Sequence, residues 1–251
     1  MAKPETGNAT LEGSDLGRYR LEELIGQGGM AHVYRATDRE TGTAVAVKVL
    51  VDGKAPQFGV RERFDREWRT MRNIVHRNVV VVLDGPSEAR GPLYYAMELL
   101  EGETLAHCLE REGTLPPEAA IDIFEQIAEG LAAVHATGSV HRDIKPQNIF
   151  LTRAEDGKTR VKILDFGLAR VFGSQITGAG VMVGTPAYVS PEQAAGDVVD
   201  HRADIYALGL VMYRVLTGHH PFTSEDQVTT LGHQILSAPP PLSWLEESVP
   251  P

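Results

Sequence analysis

The sequence predicts an α+β fold of two lobes: a strand-rich first part with one main helix, and a mostly helical second part. Three observations carry this. Between Tyr19 and Leu99 the apolar runs are short and separated by Gly- and Pro-containing turns, the pattern of strands. From about Val60 to Ile74, Phe64, Glu67 and Met71 recur at helical spacing. After Glu101-Gly102 the character changes, and Pro117 to Ala136 carries a long apolar stripe with a period of 3.6 residues. The chain has 251 residues, 42% hydrophobic and 23% charged, enough for one large domain or two lobes sharing a cleft. The expected organisation is a flexible leader over 1–17 and one domain over 18–251, with its first lobe over 18–100 and its second over 101–251.

Residues 1–17 are polar, contain Gly and have no period. Tyr19 to Ile25 predicts a first strand. It runs into Gly26-Gln27-Gly28-Gly29-Met30-Ala31, followed by a second strand from His32 to Thr37. Glu40 to Thr43 is a turn, and Ala44 to Val51 a third strand. The helix over 60–74 comes next, then strand-like runs at Val79 to Leu83 and Leu93 to Leu99. In the second part, Ala120, Ile123, Phe124, Ile127, Leu131 and Val134 share one helical face, and Gly138 stops the helix. Short strands flank Asn148 and Asp165. Asp200 to Thr217 reads as a second strong helix closed by Gly218, and Ala238 to Leu242 as a loop.

The formal net charge is −10, which argues against nucleic acid as a partner, because phosphate binding needs clustered Lys and Arg. The single cysteine, Cys108, permits no disulfide within the chain and fits a reducing, cytoplasmic compartment. The N-terminus lacks the pattern of a secretory signal, and runs such as Ile205 to Tyr213 are too short to span a bilayer.

The chemistry concentrates in His141-Arg142-Asp143-Ile144-Lys145-Pro146-Gln147-Asn148. Six fixed residues at this spacing arise by chance on the order of 10⁻⁸ per position, at about 5% per residue type, so an ordinary polar loop is set aside. Asp143 can accept a proton, Lys145 supplies fixed positive charge, and Asn148 offers a neutral oxygen to a metal. Asp165-Phe166-Gly167 follows the apolar run Val161 to Leu164, and an Asp at a strand end suits a hard cation.

The third strand argues independently. Ala46 and Lys48 share one face, with Val45, Val47 and Val49 on the other. A small residue beside a lysine suits a flat ring and its phosphates. Glu67 lies between Phe64 and Met71 on the core face of the first helix, where an unpaired carboxylate would cost several kcal/mol, so Lys48 is its expected partner. The loop Gly26-x-Gly28-x-x-Ala31-x-Val33 sits between two strands, where backbone N–H groups can approach phosphates. It precedes no helix, which excludes a P-loop or a dinucleotide fingerprint. Asp204 shares a stripe with Leu208, Val211 and Val215, a carboxylate on an apolar face with a structural role.

Together these residues resemble the eukaryotic-type (Hanks-type) serine/threonine protein kinases, and wording such as Ser190-Pro191-Glu192-Gln193-Ala194 is most similar to the bacterial branch. The resemblance runs from about Tyr19 to the C-terminus and implies the bilobal protein-kinase-like fold, with ATP and Mg²⁺ (or Mn²⁺) as cofactors and protein Ser/Thr hydroxyls as acceptors. By that resemblance, Lys48 holds the α- and β-phosphates and pairs with Glu67. Asp143 takes the hydroxyl proton, Lys145 steadies the γ-phosphoryl group, and Asn148 and Asp165 hold the metal. Gly26, Gln27, Gly28, Gly29, Met30 and Ala31 cover the phosphates. Ile25, Val33, Ala46 and Phe150 sandwich the adenine, although burial in a core would explain these four equally. Met97 matches the gatekeeper, with the Glu98 carbonyl and Leu100 amide facing the adenine. In the family, the Asp204 position anchors the backbone of the catalytic loop.

Lys145 and the Gly184-Thr185-Pro186 and Ser190-Pro191-Glu192 segments resemble the Ser/Thr subgroup, with Thr185 as a structural residue near Asp143 and Lys145. Arg142 can receive a phosphate from the segment 168–183, where Ser174 and Thr177 are candidates and Thr177 is the expected autophosphorylation site. The family's second lobe continues beyond a Pro-rich stretch like Pro239-Pro240-Pro241, with an arginine that pairs with the Glu192 position. No arginine follows Leu242 here. The expectation is therefore a truncated second lobe, a partly uncovered Asp204 helix, and a partner that could cover it. Two other readings stay open: a nucleotide-binding scaffold or pseudoenzyme impaired by the missing helices, and a small-molecule kinase of related fold, which the Gly-Thr-Pro and Ser-Pro-Glu segments disfavour.

Overall fold

A computed structural model of the chain describes residues 11–28, 31–50, 60–86, 92–154, 156–165, 186–222, 224 and 227–242. The chain divides into two compact units. Residues 1–72 and 81–100 form the first; residues 73–80 and 101–251 form the second.

The first unit is a six-stranded antiparallel sheet with one helix. Its strands are β1 (Asp15–Leu16), β2 (Tyr19–Gln27), β3 (Ala31–Asp38), β4 (Ala44–Leu50), β5 (Val82–Asp84) and β6 (Tyr94–Glu98), in the order β1-β2-β3-β4-β6-β5. The alternation read from the sequence holds on β4. Val45, Val47 and Val49 pack with Tyr19, Leu21, Tyr34 and Tyr94 into one core, and burying each such side chain contributes roughly 1.5–3 kcal/mol. Lys48 faces the other side, in register with Val33 on β3 and Tyr95 on β6. Helix α1 (Val60–Arg72) buries Phe64, Trp68 and Met71. Its Trp68 indole lies so close to Gly85 that a Cβ there would overlap the ring.

The run Val79 to Leu83, expected to be one strand, is divided between the units. Val79 bridges to Ile163 in the second unit, and the Val80 N–H donates to the Ile163 carbonyl (3.0 Å). Only Val82–Asp84 joins the first sheet. The reason is Asn78, fully buried, whose side-chain amide donates to the Val161 carbonyl while its own carbonyl accepts from the Ile163 N–H (2.8 Å). These bonds tie residues 73–80 to the second unit.

In the second unit, β7 (Gly102–Thr104), β8 (Ile149–Arg153) and β9 (Thr159–Ile163) form a three-stranded sheet. Helix α2 (Leu105–Glu112) is absent from the sequence reading. Eight residues are too few to establish a period, but the local signals are present: Thr104 caps its start by accepting the His107 N–H, and Gly113 ends it at φ 78°. Helix α3 (Pro117–His135) buries all six residues of the predicted stripe. Short helix α4 (Pro191–Ala195) precedes α5 (Arg202–Thr217), which closes on Gly218 at φ 72°. Helix α6 (Gln227–Leu236) is, like α2, absent from the sequence reading. The apolar stripe of α5, expected to be partly uncovered, is buried at Leu208, Val211 and Val215, and the exposed Ile205 (53%) lies off it.

Gly102 adopts φ +145°, and a Cβ there would strike the Leu151 carbonyl. Gly102→Ala should break the β7–β8 register and lower the melting temperature, read by thermal unfolding. His220 is packed edge-on against Tyr188 (5.1 Å between ring centres), and burial pushes its pKa below the ordinary value near 6.5. Unfolding raises that pKa, so the neutral-imidazole contribution is complete above pH about 6.5 and is lost as acid protonates the unfolded chain first. His220→Asn, which keeps an acceptor for the Phe222 N–H, should flatten the fall in stability as pH drops below about 6.5 in denaturant titrations.

Candidate active site

In the first unit, β2 and β3 form the glycine hairpin, with Gly26 opposite Val33 and Gln27 opposite His32. The Gly28 N–H donates to the Ala31 carbonyl (2.9 Å), which closes the hairpin and commits that donor to the backbone. Gly29 and Met30 lie outside the described residues. Ala46 is buried, Val33 half-buried and Ile25 47% exposed. Met97 is buried on β6. Glu98 is tied twice to Val81: its N–H donates to the Val81 carbonyl (3.0 Å), and its carboxylate accepts the Val81 N–H (2.8 Å). Leu100 is half-buried at the end of the unit. Lys48 is half-buried on β4. The Lys48–Glu67 pairing lies outside the described residues, because the Glu67 side chain is not among them.

In the second unit the loop from His141 to Asn148 is built around Asp204, whose side chain has no exposed surface. Its Oδ2 accepts the His141 N–H (2.8 Å) and His135 Nε2–H (2.7 Å), and its Oδ1 accepts the Arg142 N–H (2.6 Å). A buried carboxylate costs several kcal/mol, and three short donors offset that cost. Arg142 stands at φ 68°, a left-handed conformation costing roughly 1–2 kcal/mol for a residue with a Cβ. Gln193 Nε2–H donates to its carbonyl (3.1 Å), so both peptide groups of this strained residue are held.

His141 is fully buried and bonds on both ring nitrogens. Nδ1 accepts the Asp143 N–H (3.2 Å) and Nε2–H donates to the Leu164 carbonyl (2.8 Å), contacts that require the Nε2–H tautomer. The Leu164 N–H donates in turn to the Asn148 carbonyl (2.8 Å). Thus the residue preceding Asp165 is fastened to the same loop that carries Asp143 and Asn148. Asp165 itself sits just past β9 at φ 53°. Phe166, Gly167, Ser174, Thr177 and Thr185 lie outside the described residues.

Lys145 Nζ donates to both Asp143 carboxylate oxygens (3.0 and 2.8 Å). Asn148 Nδ2 donates to Asp143 Oδ2 and to the Asp143 carbonyl (2.8 Å each). Asp143 remains 27% exposed, so a hydroxyl can reach it. Since both N–H donors of Asn148 are spent on Asp143, its Oδ1 is the atom left for a cation. Asn148 Oδ1 and the Asp165 carboxylate are both oxygen donors, the type a hard divalent ion prefers. Phe150 on β8 is half-buried.

The sequence reading missed two contributors. His141 enters the sequence analysis only as a letter of the motif, and its polar neighbours give no sign of the burial and the two ring bonds that the fold provides. Gln193 was read only as family wording, although Ser190-Pro191-Glu192-Gln193 has the spacing of a capping box.

The protein kinase domain family matches residues 19–244. Among curated proteins, the serine/threonine-protein kinase pkn2 of Myxococcus xanthus is 40% identical over 230 residues, covering 90% of this chain and 27% of that protein. PknL of Mycobacterium tuberculosis is 40% identical over 236 residues, covering 93% of this chain and 58% of that protein. Among solved structures, the PknI kinase domain of Mycobacterium tuberculosis matches with a TM-score of 0.74 at 28% identity, covering 95% of this chain and 86% of that one. The chain therefore belongs to the protein kinase family, and its β-rich and helical units are those of the kinase fold. It spans about a quarter to three-fifths of the length of these curated relatives.

Asp204→Asn places one N–H₂ against a backbone N–H whichever way the amide turns. Leaving a buried donor unmatched costs about 1–3 kcal/mol. The expected outcome is a melting temperature lowered by roughly 3–10 °C, measured by calorimetry.

Proposed function

We propose that this chain is a serine/threonine protein kinase that transfers the γ-phosphoryl group of ATP to Ser and Thr hydroxyls of proteins, itself included. The observation that carries the reading is the Asp143 carboxylate, partly exposed and oriented by Lys145 and Asn148. The hydroxyl class is supported by the relatives, which are named serine/threonine-protein kinases.

The chemistry asked of these residues is modest in covalent terms and demanding in position. The substrate hydroxyl gives its proton to Asp143 as its oxygen bonds to γ-phosphorus, and the bond from γ-phosphorus to the β–γ bridging oxygen breaks. Lys145, 2.8 Å from Asp143, adds positive charge as negative charge spreads over the phosphoryl oxygens. Lys48 orients the α- and β-phosphates, with Glu67 holding Lys48. Gly26, Gln27, Gly28, Gly29, Met30 and Ala31 cover the phosphates. Ile25, Val33, Ala46 and Phe150 enclose the adenine beside Met97, Glu98 and Leu100.

Asn148 Oδ1 and Asp165 would hold a divalent ion, Mg²⁺ or Mn²⁺, which when bound neutralises phosphate charge. Arg142 would receive a phosphate carried on Thr177. The site of action is the cytoplasm, which the free, buried Cys108 supports. Among the described residues no helix is long and apolar enough to cross a membrane.

Incubation with Mg²⁺, labelled ATP and a basic protein substrate tests the proposal. Wild type should incorporate label, and Asp143→Asn should lose about 10²- to 10⁴-fold in kcat. Equal incorporation by the two proteins would sink the mechanism. A nucleotide-induced thermal shift without transfer would favour a nucleotide-binding scaffold.

A further inference from the structure

Gln193 joins the Ser190 turn to the Arg142 carbonyl through its backbone N–H and both ends of its side chain. Its backbone N–H donates to Ser190 Oγ (3.4 Å), its Oε1 accepts the Ser190 N–H (3.1 Å), and its Nε2–H donates to the Arg142 carbonyl (3.1 Å). The first two form the capping box of α4. They also settle which end of the side chain is which. Oε1 faces an N–H donor, so the amide nitrogen faces the Arg142 carbonyl.

That carbonyl belongs to the peptide group joining Arg142 to Asp143. The N–H of the same peptide donates to His141 Nδ1 (3.2 Å). The plane is therefore held from both edges, on one by His141 and on the other by Gln193. Arg142 is left-handed at φ 68°, and its own N–H is fixed by Asp204. Rotation of the Arg142–Asp143 plane would swing the Cα–Cβ bond of Asp143, and with it the carboxylate.

We infer that Gln193 is a positioning residue for phosphoryl transfer, fixing the direction of the Asp143 carboxylate through the Arg142 carbonyl. The inference rests on the kinase reading above. It also joins the start of α4 to the catalytic loop, so the capping turn at Ser190 and the proton acceptor share one side chain. Misplacing a catalytic group by about 1 Å can cost on the order of 10²-fold in rate.

Two variants separate this role from helix capping. Gln193→Glu keeps an acceptor for the Ser190 N–H, as capping boxes with Glu do, but offers no donor to the Arg142 carbonyl. Ser190→Ala removes the Oγ cap and leaves the Gln193 side-chain bonds in place. Gln193→Glu should lower kcat by about 10- to 100-fold with KM for Mg·ATP near wild type, and should speed hydrogen exchange at the Arg142 and Asp143 amides. Ser190→Ala should lower the melting temperature while keeping kcat. Wild-type kcat and unchanged amide protection in Gln193→Glu would overturn the inference, as would an equal loss of kcat in both variants. If the wild-type chain transfers no phosphoryl group, the kinase reading fails, and amide exchange alone decides the inference: faster exchange in Gln193→Glu supports it, and unchanged exchange overturns it.

Discussion

Asp204 is the one group on which the rest of the second unit depends. It lies on α5, a helix otherwise packed through Leu208, Val211 and Val215. Its carboxylate reaches the catalytic loop at two successive amides and the end of α3 at His135. Water has no access to it. Each donor that withdrew would leave charge or an N–H unmatched in a medium of low dielectric, where such mismatches are costly. The loop consequently has one low-energy arrangement, which is what a left-handed Arg142 requires.

The consequences run outward in sequence. Holding the His141 and Arg142 amides turns the His141 ring inward, and its two nitrogens reach Asp143 and Leu164. Leu164 bonds back to Asn148. Asp143, Asn148 and Asp165, which stand 22 residues apart at the extremes, thus share one hydrogen-bonded frame. Phosphoryl transfer demands positioning and preorganised charge more than covalent participation, and the proposed reaction would draw on this frame for both.

A second frame explains the division of the chain. Gln126 on α3 accepts the Val161 N–H and the Asn78 amide on one oxygen and donates to the Thr159 carbonyl. Asn78 continues to Val161. A short segment from the middle of the first lobe's sequence is thereby built into the second unit. Within the first unit, β4 does the equivalent work through alternation: three valines make the core, and Lys48 emerges on the other face.

The sequence by itself determined the family and the periodic elements. The loop from His141 to Asn148, the two faces of β4 and the stripe of α3 are local patterns, and period and spacing need no knowledge of distant contacts. Short elements escaped it. Helix α2 has eight residues and α6 ten, so neither shows enough turns to establish a period. The fate of residues 79–83 also escaped it, because two equally apolar halves of one run join different sheets, and only the partners Asn78 and Ile163 distinguish them. The orientation of Asp143 belongs to the tertiary structure. Beside the local donors Lys145 and Asn148, it depends on Asp204, His141 and Gln193, residues up to 63 positions apart, whose hydrogen bonds exist only once the chain has folded.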